Sequence, residues 1–179
     1  MKIITTPIAD VIVIEPRVFK DGRGFFLESF RQSFLKEAGI DADFVQSNTS
    51  RSVRGVLRGL HYQTRHPQGK LIRVSRGRVF DVAVDIRPSS TTFGQHFGIE
   101  LNDEDHRQLW IPAGLAHGFC ALSEVVDLHY RCTDYYDPKG EAGVLWNDPE
   151  IGIDWPVKDP ILSSKDMRWP ALAQLALKV

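Results

Sequence analysis

Short apolar runs separated by glycine-bearing turns recur along most of the chain. Each run has the length of about four to eight residues that is typical of a strand. In residues 79–86, Phe80, Val82 and Val84 alternate with Asp81 and other residues, which predicts a half-buried strand. The runs are 11–14, 25–29, 44–48, 56–61, 71–75, 79–86, 97–101, 108–111, 116–122 and 125–132. This pattern predicts an all-β sandwich or barrel.

Two further segments differ from this pattern. Residues 31–38 have apolar residues at helical spacing and are followed by Gly39, which predicts a short helix covering the sheet. Residues 145–179 are rich in proline and tryptophan, which predicts an irregular segment wrapped over the barrel, with a short helix near 172–177. We interpret residues 1–179 as a single domain because the length fits one core.

Composition excludes several classes of partner. The 22 basic and 23 acidic residues nearly cancel, so no net charge favours nucleic acid or an anionic membrane. Cys120 and Cys132 lack metal-ligand spacing, which indicates buried free thiols in a reducing compartment. The first residues resemble neither a signal peptide nor a membrane span. These features predict a cytoplasmic protein.

Two segments, GVLRGLHYQ at 55–63 and IPAGLAHGF at 111–119, resemble the signature motifs of the cupin superfamily. The resemblance implies a jelly-roll β-barrel with a few short peripheral helices. A metal-binding cupin would have a second histidine at Gln63 and a glutamate soon after, but only His61 and His117 remain. We therefore expect no metal and no cofactor. Lys70 is a candidate cation for stabilising an enolate.

A closer resemblance rests on RGLHYQ at 58–63, VFDVAVDIR at 79–87, GLAHGF at 114–119, TDYY at 133–136 and LSSKD at 162–166. Together these segments resemble the dTDP-4-dehydrorhamnose 3,5-epimerase family. The resemblance implies an isomerase that epimerises carbons 3 and 5 of dTDP-4-dehydro-6-deoxy-D-glucose, giving dTDP-4-dehydro-L-rhamnose for dTDP-rhamnose biosynthesis. It also implies a homodimer with an exchanged N-terminal strand.

The same resemblance assigns roles to individual residues. His61 would be the general base, Asp166 its hydrogen-bonded partner and Tyr130 the general acid, with Lys70 beside the carbonyl oxygen. Tyr136 would stack on the thymine ring. The residues implied in substrate binding are Arg23, Glu28, Gln46, Ser47, Asn48, Arg58, Lys70, His117, Tyr136, Glu141 and Lys165. The sequence does not assign these residues to subunits.

Taken one at a time, these residues have simpler interpretations. His61 and Tyr130 could pack in strands, Asp166 could belong to a turn, and Arg23 and Lys70 could be solvated. The competing functions are a single-centre epimerase, a 3,4-ketoisomerase, a metal-dependent cupin and a non-catalytic nucleotide-sugar-binding module. The order of the two inversions is not given by the sequence.

Overall fold

The computed structural model describes residues 1–175, and strands dominate it. The single α-helix within these residues, α1, spans Gln32–Glu37, and 3₁₀ turns span Asp166–Arg168 and Leu172–Gln174. The strands are β1 Lys2–Thr5, β2 Ile12–Glu15, β3 Val18–Asp21, β4 Gly24–Leu27, β5 Gln46–Val53, β6 Leu57–Gln63, β7 Lys70–Arg76, β8 Arg78–Asp85, β9 His96–Asn102, β10 Gln108–Ile111, β11 Leu115–Ala121, β12 Val125–Cys132 and β13 Glu141–Gly143. The all-β prediction is confirmed.

Two antiparallel sheets form the body of the fold. The six-stranded sheet has the order β1-β2-β10-β7-β12-β5, and the five-stranded sheet has the order β13-β6-β11-β8-β9. Alternate side chains of both sheets, such as Ile72, Leu128, Ala83 and Phe119, meet in one buried core. This arrangement is the predicted cupin-type jelly roll. Strands β3 and β4 form a separate hairpin.

The outer faces of both sheets are covered in part. Helix α1 buries Leu35 against Trp110 and Leu71 of the six-stranded sheet, which confirms the covering helix. Over the other sheet, Trp155 and Ile151 of the C-terminal segment pack against a cluster of apolar residues from β6, β8 and β11. Strand β8 is therefore buried on both faces, and the prediction of a half-buried strand at 79–86 was wrong.

Several predicted boundaries also shift. The run 25–29 ends at Leu27 and pairs with β3 in the separate hairpin, while the run at 44–48 begins at Gln46 and continues to Val53. Strands β1, β3 and β13 were not predicted because each has at most two apolar residues, whereas the equally short β2, β4 and β10 have three. Of the helix expected near 172–177, only Leu172–Gln174 forms a 3₁₀ turn, and 176–177 lie outside the described residues.

Within residues 1–175, no helix has the length and apolar character needed to cross a membrane. The division of the chain into one domain stays a prediction.

Candidate active site

A cavity of about 370 Å³ opens between the two sheets. Strands β5, β7 and β12 of the six-stranded sheet and β6, β11 and β13 of the other sheet supply its walls. The site residues predicted from sequence that line it are Gln46, Asn48, Arg58, His61, Lys70, His117, Tyr130, Tyr136 and Glu141. The fold thus brings together residues that are almost a hundred positions apart in sequence.

Two glycines bring the two motif histidines together. A Cβ atom on Gly59 would lie 2.5 Å from the Cα atom of Gly118, so only glycine permits this close approach of β6 and β11. In the register of these strands, His117 lies directly opposite His61. Both imidazoles therefore line the same wall of the cavity.

Asp166 lies behind His61, on the side away from the open cavity. Its Oδ1 atom is 2.5 Å from Nε2 of His61, and its side chain is 4% exposed. The indole of Trp169 donates a second hydrogen bond to the same oxygen, at 3.3 Å. Burial opposes ionisation of Asp166, but the hydrogen bonds, above all that of His61, outweigh it and lower the pKa of the carboxyl.

This geometry fixes the tautomer of His61. The carboxylate accepts a hydrogen bond from a protonated Nε2, so in the neutral ring Nδ1 carries the free lone pair. Within residues 1–175, Nδ1 of His61 has no hydrogen-bond partner, and the side chain lines the cavity. The ring can therefore take a proton from a molecule bound there.

Lys70 begins β7 and is 9% exposed, so the interpretation of this residue as a solvated lysine is wrong. Its ammonium group donates to the main-chain oxygen of His61 at 3.4 Å, which brings the charge close to the base. Burial lowers the pKa of Lys70, while the negative charge of nearby Asp81 and Glu141 opposes this shift. An oxyanion formed in the cavity would thus have a cation within the protein interior.

Tyr130 enters the cavity from β12, in the sheet opposite to that of His61. Burial raises the pKa of its phenol, so the side chain keeps its proton throughout the neutral range. Beside it, Asn48 donates to the thiol of Cys132 at 3.7 Å. The prediction that both cysteines are buried and free is confirmed.

A polar cluster surrounds the mouth of the cavity. The phenol of Tyr136 donates to Glu141 at 3.1 Å, and the ammonium of Lys165 donates to the other oxygen of Glu141 at 2.5 Å. Burial disfavours the charged form of Glu141, but these hydrogen bonds prevail and lower its pKa. The main-chain amide of Tyr136 is held by Gln46 at 2.9 Å. The aromatic ring of Tyr136 thus lies at the mouth of the cavity, and its main chain is held in place by Gln46.

A family model described as dTDP-4-dehydrorhamnose 3,5-epimerase matches residues 5–174. The chain belongs to this family. It is an enzyme of the isomerase class, and the resemblance inferred from the sequence motifs is confirmed.

Individual relatives agree with this assignment. A dTDP-4-dehydrorhamnose 3,5-epimerase of Pseudomonas aeruginosa is 56% identical over 175 residues, which cover 97% of each chain. One of Neisseria gonorrhoeae is 54% identical, and the match covers 97% of this chain but 53% of that relative. Among solved structures, a dTDP-6-deoxy-D-glucose-3,5-epimerase from Legionella pneumophila in complex with dTDP-4-keto-L-rhamnose has a TM-score of 0.95 at 50% identity, covering 97% of this chain and 94% of that one.

Four residues that the family resemblance implies in binding do not line the cavity of their own chain, and one of them, Lys165, bonds to Glu141 at its mouth. Arg23 lies in the turn between β3 and β4, bonded to Asp21 at 2.6 Å, and its side chain is 91% exposed. Glu28 follows β4 and pairs with Arg31 at 2.7 Å. Ser47 alternates with the cavity residues of β5 and is exposed.

The structure also shows residues near the site that the sequence analysis did not assign. Asp81 binds His117, Trp169 binds Asp166, and Phe119 and Tyr62 line the cavity. Ser50 lines it too, and its buried hydroxyl has no hydrogen-bond partner within residues 1–175. A carboxylate among apolar residues at 79–86 was the one available signal for Asp81.

Among residues 1–175, no group of three or more His, Cys, Asp or Glu side chains has the arrangement of a metal site. The expectation that the reaction uses no metal or other cofactor stays a prediction.

Proposed function

We propose that this protein epimerises carbons 3 and 5 of dTDP-4-dehydro-6-deoxy-D-glucose, producing dTDP-4-dehydro-L-rhamnose. The observation that supports it is the placement of His61 and Tyr130 on opposite sheets, where both line one cavity. A base and an acid on two sides of a sugar ring can remove a proton from one face and return one to the other. Inversion of the carbon follows from that geometry.

The first half of the reaction uses His61. Nδ1 takes the proton of a carbon next to the ketone, the C–H bond breaks, and its electron pair forms a double bond while the ketone oxygen becomes negative. The Asp166 carboxylate stabilises the resulting imidazolium because it lies 2.5 Å from Nε2. Lys70 provides the positive charge for the enolate oxygen.

The second half uses Tyr130. Its phenol gives a proton to the opposite face of the same carbon, and the enolate collapses to the ketone. The tyrosinate then takes a proton from solvent and the His61 imidazolium releases its proton to solvent, so both groups return to their starting protonation states. Because the ketone at carbon 4 acidifies both neighbours, the same pair of groups acts at carbon 5 and at carbon 3. No electron enters or leaves the substrate, so the steps balance without a redox partner.

The nucleotide is assigned to the mouth of the cavity. Tyr136 is half exposed there and offers an aromatic face for the thymine ring. Arg58 is held by Ser52 and the main-chain oxygen of Arg51, so its guanidinium is positioned for phosphate oxygens. The remaining polar contacts to the nucleotide come from Gln46, Asn48, Glu141 and Lys165, while His117 contacts the sugar.

Incubation with dTDP-4-dehydro-6-deoxy-D-glucose in heavy water tests the reaction. We expect deuterium at carbons 3 and 5 of the product, because solvent-derived protons replace both original ones, and NMR of the sugar counts the two positions. Label and inversion at one carbon alone would instead show a single-centre epimerase. Movement of the carbonyl to carbon 3 would show a ketoisomerase.

We also propose that Arg23, Glu28 and Ser47 complete a site in a homodimer, with the Arg23 hairpin serving the cavity of a second copy. The hairpin exposes Phe19, Phe25 and Phe26, the last at 70%, which favours burial against another chain. In the single chain, β1 pairs with its own β2 and forms a sheet edge, so the exchange of this strand stays a prediction.

Mixed dimers test the shared site. We expect an Arg23→Ala, Glu28→Ala chain and a His61→Asn chain, each nearly inactive alone, to regain activity when denatured and refolded together. One cavity of each mixed dimer then has His61 from one chain and Arg23 from the other, which restores about a quarter of the sites at random pairing. Turnover is measured before and after mixing, and no gain on mixing would place Arg23 in its own chain's site.

A further inference from the structure

A second histidine–carboxylate pair lies in the wall of the cavity. Asp81, on β8, is 0% exposed, and both of its carboxylate oxygens are 3.0 Å from Nε2 of His117. No other side chain within residues 1–175 hydrogen-bonds to this carboxylate. The pair spans two neighbouring strands, since the register sets Phe119 opposite Asp81 and Ala83 opposite His117.

A purely structural role does not account for a carboxylate at this position. The neighbours of Asp81 on β8, Val82 and Ala83, are apolar and fully buried. Burying a carboxylate is unfavourable unless hydrogen bonds or a countercharge compensate, and an apolar side chain at this position would avoid that cost. The sequence retains an acid where packing alone favours valine or alanine.

The contact with Asp81 decides which face of the imidazole is available. Because the carboxylate accepts a hydrogen bond from a protonated Nε2, the neutral ring of His117 presents the lone pair of Nδ1. Within the described chain, Nδ1 has no hydrogen-bond partner, and His117 lines the cavity. The same arrangement holds for His61 and Asp166.

We propose that Asp81 is a positioning residue for the epimerisation, which holds His117 in the tautomer whose Nδ1 accepts a hydrogen bond from a hydroxyl of the bound sugar. This inference rests on the proposed function, and it adds a residue to it. The two histidine–carboxylate pairs then have different roles in the reaction. His61 with Asp166 removes the carbon-bound proton, and His117 with Asp81 holds the sugar ring in position for both inversions.

Titratable groups on four other strands line the same cavity as His117: Lys70 on β7, His61 on β6, Tyr130 on β12 and Glu141 on β13. Of these, Lys70 also responds to Asp81, whose negative charge opposes the lowering of the lysine pKa by burial. Removing that charge therefore makes Lys70 lose its proton at lower pH. The alkaline limb of the pH–rate profile provides a second measure of Asp81.

The test is Asp81→Asn, an isosteric change. The new amide can donate a hydrogen bond to Nε2, which allows the tautomer with its proton on Nδ1. NMR of the protein with nitrogen-15-labelled histidine reports the tautomer. We expect wild-type His117 to carry its proton on Nε2 and the variant to gain the Nδ1-protonated form. We expect kcat/KM to fall by at least about tenfold, in line with tautomer loss at other histidine–carboxylate pairs. The alkaline limb should move to lower pH.

A double-mutant cycle separates positioning from folding. In a His117→Ala background, Asp81→Asn should cause no further loss of kcat/KM at the optimum pH, because there Asp81 acts through His117. The shift of the alkaline limb, which Asp81 causes through Lys70, should remain in that background. Losses that multiply would overturn the proposal, and so would a wild-type His117 protonated on Nδ1. The matched control is Asp85→Asn on the same strand, whose carboxylate binds Arg87, Ser90 and Thr92. It should leave the His117 tautomer unchanged.

Failure of the proposed function would look different. The tautomer is measured without substrate, whereas a wild-type protein that labels neither carbon overturns the epimerase assignment and, with it, the catalytic role of Asp81.

Discussion

Replacing His61 by asparagine is expected to lower kcat by at least about a hundredfold, equal to about 2.7 kcal/mol of lost transition-state stabilisation. Asparagine keeps a polar group on β6 but cannot take a proton near neutral pH. No imidazolium can then form for Asp166 to stabilise, although in the wild type Oδ1 of Asp166 lies 2.5 Å from Nε2 of His61. The measurement is turnover of the dTDP-keto sugar together with deuterium uptake from heavy water.

The loss should include exchange as well as inversion, because no carbon-bound proton leaves without the base. His66→Asn is the matched control, since His66 also bonds to an aspartate, Asp134 at 3.2 Å, but its side chain is exposed and outside the cavity. We expect that variant to keep nearly full activity. A His61→Asn protein that still exchanges protons at the wild-type rate would contradict the assignment of the base.

The fold was predictable from the sequence where strands are long and buried, and less so at the edges. The pattern of short apolar runs identified β8 at 79–86 and β12 at 125–132, each of which pairs with a strand on both sides. It did not show that β8 is covered on both faces, because that depends on where Trp155 and the C-terminal segment pack. Local patterns contain no information about such long-range contacts.

The site was predictable to the extent that its residues fall in motifs. The segment 58–63 contains Arg58 and His61, and the glycines beside them permit the close strand approach that the cavity needs. The partners behind these residues were harder to identify. Trp169 reaches Asp166 only because Gly143 has no side chain, since a Cβ atom there would lie 2.6 Å from the indole. Single-sequence patterns cannot show such a pairing.

In the proposed mechanism the two sheets carry different parts of the reaction. Proton removal would depend on the five-stranded sheet through His61, and proton return on the six-stranded sheet through Tyr130. Removing the acid should therefore leave the first part intact. This asymmetry allows the two roles to be measured separately.

Replacing Tyr130 by phenylalanine is expected to lower epimerisation by about a hundredfold or more while His61 still exchanges the substrate proton with solvent. The phenylalanine ring fills the same space but has no proton to give to the far face. Deuterium should then appear in recovered substrate of unchanged configuration. NMR of the sugar measures both the deuterium content and the configuration at each carbon. Tyr135→Phe, at a side chain 65% exposed and outside the cavity, should behave as wild type.

The pH dependence sharpens this test. Burial raises the pKa of Tyr130 and lowers that of Lys70, and both shifts favour loss of the lysine proton before the tyrosine proton as pH rises. The alkaline limb of exchange should therefore lie below the ordinary lysine value of about 10.4 and persist in Tyr130→Phe. Loss of that limb in the variant would show that the phenol, not the ammonium, sets it. Exchange and inversion that fall together would contradict Tyr130 as the acid, because a group acting only in proton return leaves abstraction untouched.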